Sequence, residues 1–117
     1  QALSLHVPLN DQTRGLVGEE ALGWLPNGAW LINTSRGEVL DEAALVASLE
    51  SGHLAGAAVD VLYGEPSPDG EASPLLRYAR AHENLVITPH LGGATAESMA
   101  ATEVFMARKL AQFLKEA

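Results

Sequence analysis

Four side chains of reactive type stand at or just beyond the ends of apolar runs. Arg36 follows residues 28–33, Asp60 and Glu65 follow residues 54–59, and His90 follows residues 85–88. Each has a plainer use when taken alone. A His after a strand is often a hydrogen-bonded structural residue, and an Arg near a helix start can pair with a neighbour such as Glu38. Asp60 can cap a turn, and Glu65 can be a solvated loop charge. Taken together they define a chemistry. A guanidinium grips a carboxylate through two parallel hydrogen bonds, which gives orientation as well as charge. An imidazole beside that carboxylate takes or gives a proton near neutral pH. A second carboxylate, on the other ring nitrogen, fixes the tautomer and favours the imidazolium. Arg with a His–Glu pair suits oxidation of a 2-hydroxy acid or reduction of a 2-keto acid. No side chain carries hydride, so that chemistry calls for a nicotinamide cofactor.

The elements that must position these residues are legible as alternating patterns. Residues 2–7, 28–33, 54–61 and 85–88 read as strands. The last three show no clean period of two, which predicts strands covered on both faces, as in parallel sheets. Between them, residues 18–25, 41–51 and 73–80 read as short helices, with Asp41 as an N-cap and Gly52 as a stop. Residues 95–116 form the longest predicted helix, with Met99, Val104, Leu110 and Leu114 on an apolar stripe. Strand–helix alternation with short connections predicts an α/β fold: a partial, Rossmann-like parallel sheet of four strands, flanking helices and a long C-terminal helix. Ligands in such sheets gather at the carboxyl ends of the strands, where Arg36, Asp60, Glu65 and His90 would meet. The one long irregular stretch, residues 62–73, is rich in Gly and Pro, and long loops in compact domains are often functional.

Composition removes several alternatives. With 117 residues the chain makes one domain able to bury a core, and 47% hydrophobic with 19% charged residues is neither a disordered nor a fibrous composition. Seven basic against fifteen acidic residues give a net charge of −8, which disfavours a nucleic-acid partner. The absence of Cys excludes a disulfide scaffold, a thiol nucleophile and a Cys-ligated metal, and no metal site is assigned. No apolar run approaches the roughly 20 residues of a membrane span, and no secretion signal opens the chain, so a soluble, cytoplasmic protein is expected. The abrupt start, with Gln1 leading straight into a buried strand pattern, reads as a chain cut from something longer.

The ordered motifs carry a resemblance. Leu5-His6-Val7-Pro8-Leu9 with Thr13-Arg14-Gly15-Leu16-Val17-Gly18, then residues 31–45 around Asn33-Thr34-Ser35-Arg36-Gly37, are similar to successive blocks of the D-2-hydroxyacid dehydrogenases. Residues 51–61 with Gly64-Glu65-Pro66, and Thr88-Pro89-His90-Leu91-Gly92-Gly93-Ala94-Thr95, resemble the next two. That family includes phosphoglycerate dehydrogenase. The resemblance implies that Arg36 clamps the substrate carboxylate, that Glu65 orients His90, and that His90 handles the proton at the reacting oxygen. It implies that Asp60 holds the nicotinamide carboxamide, aided by backbone near Ser35, Gly92 and Gly93. His6, Val7, Pro8 and Thr13 fall where the family lines the adenosine side of the cofactor. Two departures stand out: Gly64 occupies a place where polar residues are common, and residues 66–84 form a longer segment than usual.

The family's Gly-x-Gly-x-x-Gly phosphate loop and its NAD/NADP selector lie upstream of the matched region, so the cofactor is NAD with NADP also open. Residues 1–117 are therefore expected to be the C-terminal half of a dinucleotide-binding domain, ending in a helix that in the family returns toward the substrate domain. The implied activity is NAD(P)-dependent oxidation of a small 2-hydroxy acid, or 2-keto acid reduction in reverse, with the isolated chain inactive. The competing reading is a non-catalytic binding or assembly module, for which corepressors resembling these dehydrogenases are a precedent. Four parallel strands in sequence order place their crossover helices on one face, leaving an apolar face bare. The long helix could fold back over it, or a second copy could cover it; a homodimer is the expectation.

Overall fold

The computed structural model describes residues 1–65, 73–93 and 95–116. The chain runs β1 (Ala2–Leu5), α1 (Glu19–Gly23), β2 (Ala29–Asn33), a 3-10 turn (Gly37–Val39), α2 (Glu42–Glu50), β3 (Leu54–Val59), α3 (Pro74–Ala79), β4 (Leu85–Ile87) and α4 (Ala96–Glu116). The four strands form one parallel sheet in the order β1-β2-β3-β4. The expected elements are therefore all present. The strands are shorter than their apolar runs, because His6, Val7, Asp60, Val61 and Thr88 leave the ladder at the carboxyl ends.

The helix starts follow local chemistry. The Asp41 side chain accepts hydrogen bonds from the Ala43 and Ala44 amides and caps α2. Ser73 caps α3 by accepting from the Leu76 amide, and Pro74 occupies the first turn, where its missing N–H costs nothing. Thr95 does the same for α4, accepting from the Ser98 amide at 3.2 Å.

The core lies between the sheet and α1–α3. Leu5, Leu31, Ala57, Val59 and Leu85 meet Leu22, Leu45, Leu49, Leu75 and Tyr78 there. The opposite face is the one that the strand order leaves bare, although the apolar runs by themselves predict cover on both sides. Trp30 and Val86 remain 51% and 57% exposed on it, with Ile32 and Ala58 only half-buried. Consecutive right-handed crossovers put every connecting helix on one side, so an apolar sequence on the other finds no cover within these residues. Trp30 closes part of this face by lying on Gly56, its partner in the ladder, where any β-carbon would collide with the indole.

The long helix does not fold back. Residues 99–115 of α4 are exposed throughout, and the molecule measures 59 × 30 × 26 Å because α4 extends away from the body. Met99, Val104, Leu110 and Leu114 are each about half exposed or more. Among the described residues no helix is long and apolar enough to cross a membrane. Residues 66–72, within the stretch read as an irregular and unusually long loop, lie outside the described residues, as does Ala94 of the last motif.

Candidate active site

β2 ends on Asn33, whose side chain is completely buried and shapes everything after it. Its Oδ1 accepts from the Ser35 amide and from Ser35 Oγ, and its Nδ2 donates to the Arg36 carbonyl at 3.0 Å. The chain is thereby folded into a tight turn that presents Arg36 at the carboxyl end of the sheet. Arg36 Nη1 donates to the Ser35 carbonyl at 2.6 Å, and no carboxylate among the described residues lies within ion-pairing distance of the guanidinium. The Glu38 pairing weighed from sequence is not formed.

His90 lies just beyond β4 and faces Glu65 from the segment after β3. His90 Nδ1 and Glu65 Oε2 are 2.8 Å apart, with the side chains 48% and 29% exposed. Glu65 Oε1 accepts from the Leu62 amide at 2.6 Å, so the carboxylate is braced by its own turn. Next to a carboxylate, neutral His90 carries its proton on Nδ1, which leaves Nε2 for other chemistry.

His90 has φ of 53°, in the left-handed region that few non-Gly residues adopt, His more readily than most. Asp60 holds the turn in this form. It is 6% exposed; its Oδ1 accepts from Thr88 Oγ1 and the Leu91 amide, and its Oδ2 accepts from the Gly92 amide at 2.7 Å. The turn around His90 is thus wrapped on one carboxylate. Burial pushes the Asp60 carboxyl up. The bonds from Thr88, Leu91 and Gly92, with the attraction of His90, outweigh it and hold the group below its ordinary range.

Arg36, Glu65 and His90 line a single cleft of about 920 Å³, with Leu9, Leu62, Leu76, Ile87 and Pro89 as its apolar wall. A second hollow of about 550 Å³ shares Leu9 and Arg36 with it and is lined by His6, Val7, Pro8, Thr34 and Ser35. Five of the cofactor candidates are thus placed in or beside these spaces: His6, Val7, Pro8 and Ser35 on the hollow's wall, and Asp60 beneath the His90 turn. Thr13 is not on either wall. Its Oγ1 donates to the Pro8 carbonyl at 2.6 Å and braces the turn behind the hollow. Gly92 and Gly93 are exposed beyond His90, with Gly92 committed to Asp60. Among the described residues no three His, Asp or Glu gather to hold a metal ion.

Three residues that shape the site escape a reading for reactive types. Asn33 and Thr88 position Arg36 and Asp60, and the available signal was a polar side chain ending an apolar strand. Glu42, at the first turn of α2, is 8% exposed and reaches across to the Glu65 segment. A carboxylate in a first helical turn is too common to mark it.

Residues 1–92 match the family model described as "D-isomer specific 2-hydroxyacid dehydrogenase, NAD binding domain". The D-3-phosphoglycerate dehydrogenase of Escherichia coli K12 is 40% identical over 113 residues, covering 95% of this chain and 27% of that protein. A D-isomer specific 2-hydroxyacid dehydrogenase of Xanthobacter autotrophicus Py2, solved with NADPH and MES, superposes with a TM-score of 0.66 at 49% identity over 77% of this chain and 27% of that one. The NAD complex of a formate dehydrogenase from Staphylococcus aureus gives a TM-score of 0.74 at 31% identity, covering 98% and 33%. The chain spans between 20% and 36% of the length of the first curated relatives it matches.

Proposed function

The chain belongs to the D-isomer specific 2-hydroxyacid dehydrogenases, within their NAD-binding domain, and from that premise we propose that residues 1–117 are the C-terminal half of a dinucleotide-binding domain carrying the acid–base side of the site. The reaction is reversible hydride transfer at C2 of a small 2-hydroxy or 2-keto acid. The single observation that carries it is the shared cleft: an Arg with no carboxylate partner among the described residues, facing the same space as a His held by a Glu.

Arg36 grips the substrate carboxylate through two parallel hydrogen bonds from the guanidinium N–H groups that the Ser35 carbonyl leaves unused. In the reducing direction, protonated His90 gives a proton from Nε2 to the keto oxygen as it becomes a hydroxyl. Glu65, on Nδ1, holds the ring in place and stabilises the imidazolium that loses that proton. When bound, the nicotinamide of NAD supplies or accepts the hydride, with NADP the alternative. The hollow beside Arg36 fits the cofactor's adenosine side, since it offers His6, Val7, Pro8 and Ser35 next to the reacting cleft. Asp60, with Oδ2 accepting a single described bond, has lone-pair capacity for the carboxamide; Gly92 and Gly93 offer backbone, and Thr13 supports Pro8 from behind.

The reading extends to the whole molecule. The bare sheet face and the exposed α4 support a homodimer. The charge of −8 argues against nucleic acid, and the lack of a long apolar helix among the described residues argues against a membrane span. A cytoplasmic setting, where nicotinamide cofactors meet small keto acids, goes with the activity.

The test is NADH oxidation with a panel of 2-keto acids. The isolated chain is expected to give no turnover, because its sequence holds no Gly-x-Gly-x-x-Gly loop to cradle the pyrophosphate. The full-length polypeptide is expected to turn over at least one of them. Binding of cofactor by that polypeptide with no turnover of any substrate would favour the assembly module instead.

A further inference from the structure

We propose that Glu42 is a positioning residue for the acid–base pair, acting through the segment that carries Glu65. The inference rests on the reading of Glu65 and His90 given above and extends it to a residue outside the cleft.

Glu42 Oε1 accepts from the Tyr63 amide at 2.8 Å and its Oε2 accepts from Ser73 Oγ at 2.9 Å. Tyr63 stands two residues before Glu65, so one carboxylate from α2 ties down the described flank of that residue, while Ser73 gives it a second donor. The Tyr63 amide adjoins the Leu62 amide, which braces Glu65 Oε1. Holding Tyr63 therefore fixes the Leu62–Tyr63 peptide, the immediate neighbour of the Val61–Leu62 peptide whose N–H braces Glu65. A second contact presses on the Leu62–Tyr63 peptide. Gly37 lies so close to it that a β-carbon there would collide with the Leu62 carbonyl and the Tyr63 nitrogen. The Arg36 turn and the Glu65 turn are thus seated on one another, and Glu42 is the hydrogen-bonded latch between their supports.

Glu42 is 8% exposed, so its carboxylate forgoes solvent for these two donors. Such a group is costly unless its bonds are made, which makes the latched geometry the favoured one. Neither oxygen reaches the cleft wall, and Glu42 needs no contact with substrate to matter. Its effect passes through Leu62 and Glu65 to the imidazole.

The readout is the tautomer of neutral His90, followed in the 15N-labelled 117-residue chain by long-range proton–nitrogen correlation at alkaline pH. With Glu65 in place, the proton sits on Nδ1. Glu65→Ala is expected to return His90 to the Nε2–H form that a free imidazole prefers. Glu42→Ala is expected to move it the same way while the sheet amides keep their shifts. Glu42→Gln, which can still accept from Tyr63 and can donate to Ser73, is expected to keep the Nδ1–H form. If Glu65→Ala shifts the tautomer and a folded Glu42→Ala does not, the positioning role is overturned and the His–Glu pair stands. If Glu65→Ala leaves the tautomer unchanged, the pair itself falls, and the role of Glu42 with it. Should Glu42→Ala fail to fold, Glu42→Asp, one methylene short, is read in the same way and is expected to lose the Nδ1–H preference.

Discussion

At the scale of single residues, Asp60 offers the sharpest physical test, because one buried carboxylate holds three donors around a left-handed His90. Asp60→Asn keeps an acceptor for Thr88 and Leu91 but sets an amide N–H against the Gly92 N–H. The expected loss is about 1–3 kcal/mol in denaturant-unfolding free energy, the cost of a buried donor without a partner. The pH dependence has a definite sign. The folded-state pKa of Asp60 is lowered, so its contribution is complete above the unfolded value, near 3.9. It is lost as pH falls below that value through the folded one. Wild type should therefore lose more stability than Asp60→Asn between pH 5 and the most acidic pH at which both fold; equal losses would show that Asp60 is not the anchor. Arg36, Glu65 and His90 could be singled out in the sequence because all three follow apolar runs and the motifs are ordered. Asn33 and Glu42 were not, because their roles depend on which backbone donors the fold brings to them.

At the scale of elements, the sheet and its three packed helices make one unit and α4 stands outside it. Leu31 is fully buried at the centre of β2, and Leu31→Ala is expected to cost about 2–5 kcal/mol through lost contacts and a cavity. Truncation before Ala96 should change the unfolding free energy of the sheet by less than about 0.5 kcal/mol, since α4 buries almost nothing against it. A large loss on truncation, followed by the same denaturant titration, would mean that α4 packs on the body in solution. Existence and order of the elements were readable from the apolar runs, from Asp41 and from Gly52. The strand ends were not, since a strand stops where its neighbour stops. The bare face followed from the strand order and not from the runs, because 54–59 looks the same whether one face is covered or two.

At the scale of the whole molecule, the open face is where the proposed homodimer would close. Trp30→Lys with Val86→Lys charges a face already more than half exposed at both positions, so the fold should survive. If a homodimer closes that face, sedimentation should show wild type dimerising with concentration and the double variant remaining monomeric. A wild-type monomer at every concentration would remove the dimer. The central claim is that Arg36 and the Glu65–His90 pair serve one substrate in one cleft with divided roles. Steady-state kinetics of the full-length polypeptide on its best 2-keto acid, with NADH saturating, test this most directly. His90→Ala is expected to lower kcat by about 10²–10⁴-fold, while Arg36→Ala raises KM for the keto acid at least as strongly as it lowers kcat. Turnover unchanged in His90→Ala, or a KM untouched in Arg36→Ala, would contradict the account.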